Sequence, residues 1–539
     1  MQLTVQRPTP FDQSRHWRLH FAYFEQRGLD AWRSGEIPFY ATSNFAVARQ
    51  HARLLAALVA DLEASGALLP TDPVGVLEGG GGSGLFAANL LDALHADPEF
   101  AALAPRVVYV LTDYAEINVR QAAATPRLAP WVAAGRVRLA RYDLNHPAAL
   151  DLLDGAPLDL RFALVFTSYV SCVLPMKHLQ RRPDGSFHEL AVEITADVDD
   201  PELTPDDVIA DLARDATRHN LHRNLELHFS WLPVDLDALF PTAPHHAAVV
   251  RAILAGLDDA TVGYPYGYFD FLAGIAPALL PGGAILTVDY GSTRKSRLAG
   301  NFERRPQSYG NSIAQDINFT VYDGLAPVLG WDVLRTTEDL ASTHASLVSH
   351  TPFGPRTRAA FAAGYLGRTA SDDLLDYSAV AKICFQRKEY QRALRFYERS
   401  VELDPKNLEL RYRLGEVAME AGFPELAVEH LRLGYAMDSE RLWDFDFTLG
   451  RALVLVGEYA EAIPWYERSL ARGEHPVTHT NLGVLFAQAG RLAEAHHAFK
   501  RALELDPGHA RAAERMAQLK EQIWQAQVAA WSTPAPPAA

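Results

Sequence analysis

Short apolar segments alternate with amphipathic ones along the first two thirds of the chain, a pattern that predicts strands followed by helices. Helices are predicted at 85–96, 117–125 and 267–283. Strands alternating with helices indicate a parallel sheet with right-handed crossovers. The predicted strands are 74–84 (running into a glycine loop), 106–116, 136–144, 161–170 and 284–291.

Two segments depart from this rhythm. Residues 1–70 predict an N-terminal helical segment with two helices, one of them at 44–66. Residues 176–260, rich in His, Asp and Pro, read as an insertion. Because ligands of parallel α/β sheets bind at the carboxyl ends of the strands, we expect the insertion to form a cap over that edge.

The last third repeats itself with a period of about 34 residues. Each repeat has a small residue in its second helix, another small residue twelve positions earlier, and a large apolar residue four positions later. Pro405 and Pro507 close the first and fourth repeats, because proline cannot continue a helix. The second-helix alanines are Ala393, Ala427, Ala462 and Ala495, their earlier partners are Ala381, Gly415, Gly450 and Gly483, and the large residues are Tyr397, Leu431, Tyr466 and Phe499.

This pattern resembles the tetratricopeptide repeat, with an ordinary helical bundle as the alternative. The resemblance implies four helix pairs within 369–507 that bind a protein or peptide partner. Residues 508–528 predict an amphipathic capping helix, which the end of a solenoid requires. The tail at 529–539 is expected to be disordered. Residues 71–368 then form the α/β domain.

Charge and composition exclude several classes of protein. With 50 basic and 66 acidic residues the net charge is −16, which argues against binding nucleic acid or an anionic membrane. No apolar run reaches 18 residues and the N-terminus does not resemble a secretory signal, so we expect a cytoplasmic protein without a membrane span. Two cysteines exclude a disulfide scaffold and a four-thiolate zinc site.

The glycine loop after the first strand of the α/β region carries the main chemical signal. From Gly79 it fits G-x-G-x-x-G, the dinucleotide fingerprint, and from Glu78 it fits E-x-G-x-G-x-G. A pyrophosphate is repelled by a carboxylate in the loop. S-adenosylmethionine (SAM) has no phosphate, and its methionine end carries an ammonium and a sulfonium, so Glu78 favours SAM.

The second template closely resembles the first motif of class I SAM-dependent methyltransferases. The resemblance implies an α/β Rossmann-like domain in which Glu78 lies at the methionine end of SAM. It also implies that Asp113, after the second strand, binds both ribose hydroxyls, and that Asp143, after the third, accepts the adenine amino group. A nicotinamide or flavin cofactor and a purely structural loop remain the alternatives. The glycines that would shape the methionine site are Gly80, Gly82 and Gly84.

Further segments between about 35 and 340 resemble the MidA-like family. They are FYATSNFA at 39–46, Asp289-Tyr290-Gly291, and QDINFTVYDGLAPVLGWDV from Gln315. That family consists of SAM-dependent protein arginine methyltransferases associated with assembly of respiratory complex I. The family also has an N-E-x-x-D-A-x-P-like segment after the fourth strand. Here residues 168–175 read SYVSCVLP, so both carboxylates are missing, at positions 169 and 172. Because a guanidinium needs a group that accepts its proton, we expect a divergent member with another methyl acceptor.

Two residues are candidates for catalysis. Asp289, after the fifth strand, either orients the acceptor and takes its proton or caps the following turn. Tyr169 either hydrogen-bonds the substrate or packs as an aromatic residue. Cys172 reads as a small buried hydrophobe rather than a nucleophile. His245 and His246 have no thiolate partner, so no metal site is predicted.

The aromatic run at 264–269 either forms a wall of a substrate site or packs on the insertion.

Together these patterns predict a SAM-dependent methyltransferase that modifies a protein or peptide recruited by the repeats. The alternative is a non-catalytic SAM-binding adaptor or assembly factor that acts through the repeats. The intact set of cofactor carboxylates favours the enzyme, and the missing carboxylates at 169 and 172 favour the adaptor.

Overall fold

The computed structural model describes residues 1–33, 40–200, 202–215, 225–300, 306–309, 312–339, 343–438 and 443–532. The chain divides into two compact units, Met1–Asp373 and Leu374–Ala539. The first unit combines sheets and helices, and the second is helical.

All strands of the described residues lie in the first unit. In chain order they are β1 Gln2–Pro10, β2 Val74–Gly79, β3 Val107–Asp113, β4 Val137–Tyr142, β5 Leu150–Leu152, β6 Phe162–Ser168, β7 Lys177–Arg181, β8 Phe187–Asp197, β9 Glu226–Val234, β10 Ala260–Tyr264, β11 Leu279–Asp289, β12 Gly291–Ser292, β13 Gln307–Tyr309, β14 Ser312–Ala314, β15 Ile317–Asn318, β16 Asp332–Arg335 and β17 His344–Ser349.

Helices occur in both units. In chain order they are α1 His16–Arg27, α2 Asp30–Arg33, α3 Tyr40–Ser43, α4 Phe45–Ala64, α5 Leu85–Ala96, α6 Glu116–Ala123, α7 Ala129–Ala133, α8 Pro205–Arg214, α9 His245–Ile253, α10 Tyr266–Ile275, α11 Leu325–Leu329, α12 Pro355–Tyr365, α13 Ala370–Gln386, α14 Tyr390–Leu403, α15 Leu408–Glu420, α16 Pro424–Met437, α17 Phe445–Leu455, α18 Tyr459–Arg472, α19 Pro476–Gln488, α20 Leu492–Leu505 and α21 Ala510–Ser532.

An eight-stranded mixed sheet forms the centre of the first unit, in the order β16-β17-β11-β6-β2-β3-β4-β5. The five strands predicted from the sequence are neighbours in it and run parallel, from β11 through β6, β2 and β3 to β4. The edge strands are antiparallel to their neighbours. The order reverses at β2, because β3 and β4 extend to one side and β6 and β11 to the other. This reversal creates a crevice at the carboxyl ends of β2 and β6.

Both faces of the central sheet are buried, which explains the continuous apolar runs of its strands. Every residue of β2 is buried. Val76 faces a core cluster shared with α4 and α5, whereas Leu77 faces the cluster shared with α10. Alternation between two apolar clusters is the pleat expected for a central strand.

Strands β7, β8 and β9 of the inserted segment join β1 and β10 in a second, antiparallel sheet, in the order β1-β8-β7-β10 with β9 on β8. β1 pairs with β8 from Gln2↔Asp197 to Pro10↔Ala191. The N-terminal segment therefore begins with a strand before its helices, contrary to the helical expectation for 1–70. The partner of this strand lies almost 190 residues away, and local periodicity does not reveal such pairing.

The second unit consists of antiparallel helix pairs followed by the long helix α21. Small residues predicted from the repeat lie where helices of a pair approach each other most closely. A Cβ on Gly450 would lie 2.9 Å from the Tyr466 ring, and one on Gly483 would lie 2.6 Å from the ring of Phe499. The small and large positions of the repeat therefore meet within these two helix pairs. The helix α21 extends beyond the expected capping segment, to Ser532, and residues 533–539 lie outside the described part of the chain.

Candidate functional site

A cavity of about 410 Å³ opens at the carboxyl ends of β2, β3, β4 and β6. It lies at the reversal of strand order described above, and its floor is the glycine loop between β2 and α5. Glu78, Asp113 and Asp143 all line it, together with Gly80 and Gly82. The three carboxylates come from the ends of three adjacent parallel strands.

The glycine loop depends on its glycines for conformation and for space. Gly82 has φ +50, and a Cβ there would lie 2.8 Å from the Trp32 ring. Gly84 has φ +70 and precedes α5, where a Cβ would lie 2.5 Å from Leu128. Gly80 and Gly82 line the cavity, whereas Gly84 is outside the lining and serves the turn into the helix.

Glu78 is buried, with 4% of its surface exposed. The Tyr109 hydroxyl donates a hydrogen bond of 2.6 Å to Glu78 Oε2. Burial raises the pKa of Glu78 to about 7, and the bond from Tyr109 opposes that rise. The carboxyl therefore titrates near neutrality and is charged on the alkaline side.

Asp113 ties the glycine loop to the end of β3. Its Oδ2 accepts a hydrogen bond of 2.9 Å from the Gly82 amide. Its Oδ1 accepts bonds of 3.0 Å from the Ala115 amide and from Nδ2 of Asn118. Burial raises the pKa of Asp113 in spite of these donors.

Asp143 is the most accessible of the three carboxylates, with 32% of its side chain exposed. Its Oδ1 accepts bonds of 3.0 Å from the amide and from Nδ2 of Asn145. Its Oδ2 lies 2.9 Å from Nδ1 of His146. These partners orient the carboxylate at the end of β4.

Tyr169 lies at the far end of the cavity in an unusual backbone conformation. Its φ is +56, in the left-handed region that non-glycine residues rarely adopt. Its amide donates to the Val288 carbonyl at 3.0 Å, and its ring centroid is 5.8 Å from that of Tyr290. Both residues line the cavity, and both also pack against the core cluster beneath it.

Asp289 lies behind this wall rather than in it. The side chain is fully buried and is not part of the cavity lining. It accepts hydrogen bonds from Ser171 Oγ at 2.6 Å, from the Cys172 amide at 3.2 Å and from the Tyr290 amide at 3.0 Å. Burial raises the pKa of Asp289 to about 7. Of the two roles considered for Asp289, the contacts present are those of a carboxylate that holds the turn.

Gln315 holds the same turn from another side. Its backbone amide donates to the Cys172 carbonyl at 3.1 Å, and its Nε2 donates to Leu174 O at 3.4 Å. Two of the sequence segments singled out above, those starting at Asp289 and Gln315, thus converge on residues 168–175. Burial raises the pKa of the Cys172 thiol, so this residue stays a protonated thiol.

The wall facing the glycine loop comes from α1 and α2, not from the inserted cap. Among the described residues of 176–260, none lines the cavity, whereas His20, Phe21, Phe24 and Trp32 do. The Phe24 and Trp32 ring centroids lie 5.6 Å apart. The described part of the insertion therefore pairs with β1 and does not line the cavity. The aromatic spacing of HWRLHFAYF in α1 was the available signal for this wall.

The aromatic run at 264–269 packs inside the unit. The Tyr268 hydroxyl lies 2.6 Å from both Thr167 Oγ1 and Thr287 Oγ1. The Tyr264 hydroxyl lies 2.7 Å from Nδ1 of His246. Of the two alternatives weighed for this run, packing on the insertion and the sheet is the one that forms.

His245 and His246 lie close to a third residue of a type that can bind a metal ion. Ligand atoms of His245, His246 and Asp270 lie within 4.8 Å of one another. Both ring nitrogens of His246 are already in hydrogen bonds, to Tyr264 and, at 2.9 Å, to Asp270. In the first turn of α9, His246 thus bridges Tyr264 and Asp270, and none of the three ligand-type residues lines the cavity.

The stacked helix pairs of the second unit define a helical solenoid. Two family profiles, both described as tetratricopeptide repeat, match residues 385–444 and 446–507. The C-terminal unit therefore contains tetratricopeptide repeats, and this part of the sequence interpretation is confirmed. Solenoids of this type present extended concave surfaces to protein or peptide partners.

Solved structures with some similarity to this chain include those of MamA and YrrB. MamA is 23% identical, over 28% of this chain and 81% of its own, with a TM-score of 0.26. YrrB, described as a tetratricopeptide-repeat protein with an unusual peptide-binding site, is 26% identical over 27% of this chain and 75% of its own, with a TM-score of 0.25. MamA from Desulfovibrio magneticus RS-1 is 19% identical over 30% of this chain and 90% of its own, with a TM-score of 0.28. No curated protein matches the chain.

Within the described residues, we find no helix that is both long enough and apolar enough to cross a membrane.

Proposed function

We propose that the first unit binds SAM and transfers its methyl group to a nucleophile. The observation that carries this proposal is the convergence of Glu78, Asp113 and Asp143 on one cavity whose floor is the glycine loop. Each carboxylate follows a different strand, and the three strands are adjacent and parallel.

The chemistry of the three acids matches the parts of SAM. Buried Glu78 suits the positively charged methionine end, Asp113 suits ribose hydroxyls and the more accessible Asp143 suits an adenine amino group. A dinucleotide would bring its pyrophosphate against Glu78, which disfavours nicotinamide and flavin cofactors. The position at the reversal of strand order supports a nucleotide-type ligand.

When bound, SAM supplies a methyl group on a sulfonium, which is already an activated leaving group. The chain then has to hold the acceptor in line and exclude water, which accounts for much of the acceleration in such reactions. The aromatic wall of Phe21, Phe24, Tyr169 and Tyr290 suits that task. Because Tyr169 and Cys172 replace the carboxylates of the resembling family, we do not extend the proposal to arginine.

We assign recruitment of the acceptor to the tetratricopeptide repeats, which makes a protein or peptide the favoured substrate. The competing proposal is a SAM-binding adaptor or assembly factor that acts through the repeats. Its specific support is that Asp289 binds the turn at 169–172. Asp289 was the carboxylate expected to take the proton of the methyl acceptor, so no residue at the cavity is assigned to that task.

Two measurements test these proposals in order. Calorimetry with SAM, S-adenosylhomocysteine and NAD should detect binding of the first two only. Asp113→Ala should weaken both by roughly 1.5–3 kcal/mol, the range for a hydrogen bond to a charged group. Binding of NAD without SAM would overturn the cofactor assignment.

The second measurement separates enzyme from adaptor. Methyl-labelled SAM is incubated with the full chain and a lysate of the native host, and the labelled product is identified. Asp113→Ala serves as the matched control. Labelling of a host protein by wild type alone supports the enzyme. Tight SAM binding without any labelled product supports the adaptor.

A further inference from the structure

Two imidazoles and a carboxylate meet between α9 and α10, away from the cavity. His245 and His246 are the first two residues of α9, and Asp270 lies in the middle of α10. Ligand atoms of all three lie within 4.8 Å of one another, and the two imidazole centroids are 4.2 Å apart. Among the described residues, this is the one such group of His, Cys, Asp or Glu.

His246 is oriented from its buried side. The Tyr264 hydroxyl, which is fully buried, lies 2.7 Å from Nδ1, and the Phe240 ring centroid is 5.2 Å from that of the imidazole. Imidazoles that bind metal ions almost always have such a partner on the other ring nitrogen, because it fixes the tautomer and the ring orientation. The nitrogen left for a metal ion is therefore Nε2, which faces Asp270.

The Nε2 side of His246 leads to the surface. Asp270 Oδ1 lies 2.9 Å from Nε2, but the Asp270 side chain is 53% exposed and can rotate without disturbing the core. Two ligands of a tetrahedral zinc ion lie about 3.3 Å apart, so this pair would have to open by only about 0.4 Å. An ion would take the place of the proton between Nε2 and Oδ1, and the partly exposed His245 would bind it from a third direction.

We propose that His245, His246 and Asp270 bind a divalent transition-metal ion of the zinc type, with water completing its coordination. Two imidazole nitrogens and one carboxylate oxygen suit Zn²⁺, whereas Mg²⁺ and Ca²⁺ prefer oxygen ligands throughout. The site is independent of the proposed function, because none of its residues lines the cavity. It revises the expectation from the sequence, in which the missing thiolate excluded a metal: the third ligand is a carboxylate 24 residues after His246.

Charge makes Asp270 the decisive ligand. Both imidazoles are neutral when they bind a metal, and the N-terminus of α9, where they lie, carries the positive end of the helix dipole. The Asp270 carboxylate offsets that charge. Asp270→Asn removes the charge while its amide oxygen can still accept a hydrogen bond from Nε2, so this variant separates metal binding from packing.

The test measures binding of Zn²⁺ to the full chain after treatment with a chelator. Calorimetry should detect one tight site per chain in wild type, and Zn²⁺ should raise the melting temperature, as a ligand of the folded state does. Co²⁺ should occupy the same site and give the strong visible absorption of a low coordination number. His245→Ala and Asp270→Asn should each weaken the tight site by more than about tenfold, since even the partners of metal ligands contribute that much.

A matched control tests whether any histidine beside an acid would serve. His228 Nε2 lies 3.7 Å from Glu226 Oε2 on the surface of the same unit, outside any group of three ligands found among the described residues. His228→Ala should therefore leave the affinity for Zn²⁺ unchanged. A loss in His228→Ala equal to that in Asp270→Asn would overturn the assignment.

Three other results would also overturn the inference. They are the absence of a tight Zn²⁺ site in wild type, wild-type affinity retained in Asp270→Asn, and equal affinity for Mg²⁺. If His245→Ala lowers the melting temperature of the metal-free protein, Asp270→Asn alone decides. The affinity for S-adenosylhomocysteine should be the same with and without Zn²⁺, so failure of the proposed function and failure of this site are measured separately.

Discussion

Ser171 Oγ donates a hydrogen bond of 2.6 Å to Oδ2 of Asp289, joining the turn after β6 to the end of β11. The two strands are parallel neighbours, so this bond joins their carboxyl ends. Two residues before Ser171 in the chain lies Tyr169, whose positive φ requires support from its surroundings. Asp289 thus acts on the cavity through the turn that presents Tyr169.

Asp289→Asn tests this positioning role. The amide NH₂ of Asn would face either the Tyr290 amide, which donates to Asp289 Oδ1, or the donors at Oδ2. We expect a loss of stability of about 1–3 kcal/mol, the cost of an unpaired buried polar group, measured by urea denaturation. Affinity for SAM should be preserved, and any methyl transfer should fall because the turn moves.

Ser171→Ala is the control for that prediction, because it removes the same bond without removing a carboxylate. If Asp289 acts through the turn, both variants lower transfer and the pH profile keeps its shape. Loss of one limb of the pH profile in Asp289→Asn alone would instead indicate a proton acceptor.

The affinity for SAM should depend on pH through Glu78. Its pKa is raised to about 7, so the carboxyl is neutral in acid and charged in alkali. A ligand that carries an ammonium and a sulfonium binds the charged form, so affinity should rise with pH. For one group of this pKa the gain is about tenfold between pH 6 and pH 8. Calorimetry across this range measures it.

Two variants identify Glu78 as the titrating group. Glu78→Gln should bind weakly with little dependence on pH. Tyr109→Phe removes the hydrogen bond that stabilises the Glu78 carboxylate, so the midpoint should move to higher pH. An unchanged midpoint in Tyr109→Phe would assign the pH dependence to another group.

A buried ion cluster fastens the N-terminal segment to the second sheet. Lys177 Nζ lies 3.0 Å from Asp12 Oδ2 and 2.6 Å from Glu189 Oε1, and all three side chains are at most 6% exposed. Lys177→Met would leave two buried carboxylates without their cation. We expect a loss of about 3–5 kcal/mol in the free energy of unfolding.

An exposed pair in the same unit provides the comparison. Arg251 lies 2.7 Å from Asp237, but the two side chains are 49% and 67% exposed. Arg251→Met should therefore cost less than about 1 kcal/mol. Equal losses in the two variants would show that burial of the Lys177 cluster contributes nothing.

The sequence revealed the parts of the site that follow strand ends. Glu78, Asp113 and Asp143 each come directly after an apolar run, and parallel strands bring their carboxyl ends to one edge. The repeat residues were also visible in the sequence, because their spacing recurs along the last third of the chain. Gly450 and Tyr466 belong to this pattern and contact each other within one helix pair.

The parts that sequence reasoning missed depend on contacts across the fold. The cavity wall of Phe21, Phe24 and Trp32 required α1 to lie over the glycine loop, and α1 follows a strand whose partner is β8. Asp289 was predicted as a site residue from the sequence. Its burial behind the cavity wall depends on the turn that it binds, which the sequence did not reveal.

Disturbing the packing of one helix pair tests what the repeats contribute separately from the first unit. Gly450→Val places a side chain where a Cβ would already lie 2.9 Å from the Tyr466 ring, so the two helices must separate. Overpacking of this kind costs about 1–3 kcal/mol. Because repeats contact mainly their neighbours, hydrogen exchange should increase in Phe445–Leu455, Tyr459–Arg472 and the helices next to them. The dissociation constant for S-adenosylhomocysteine should stay unchanged, while labelling of a host protein should fall.

Gly473→Ala is the matched control, since its φ is 176 and nothing lies within 4 Å of the added Cβ. It should leave exchange, binding and labelling unaltered. Undiminished labelling in Gly450→Val, with exchange increased as expected, would show that the repeats do not recruit the acceptor.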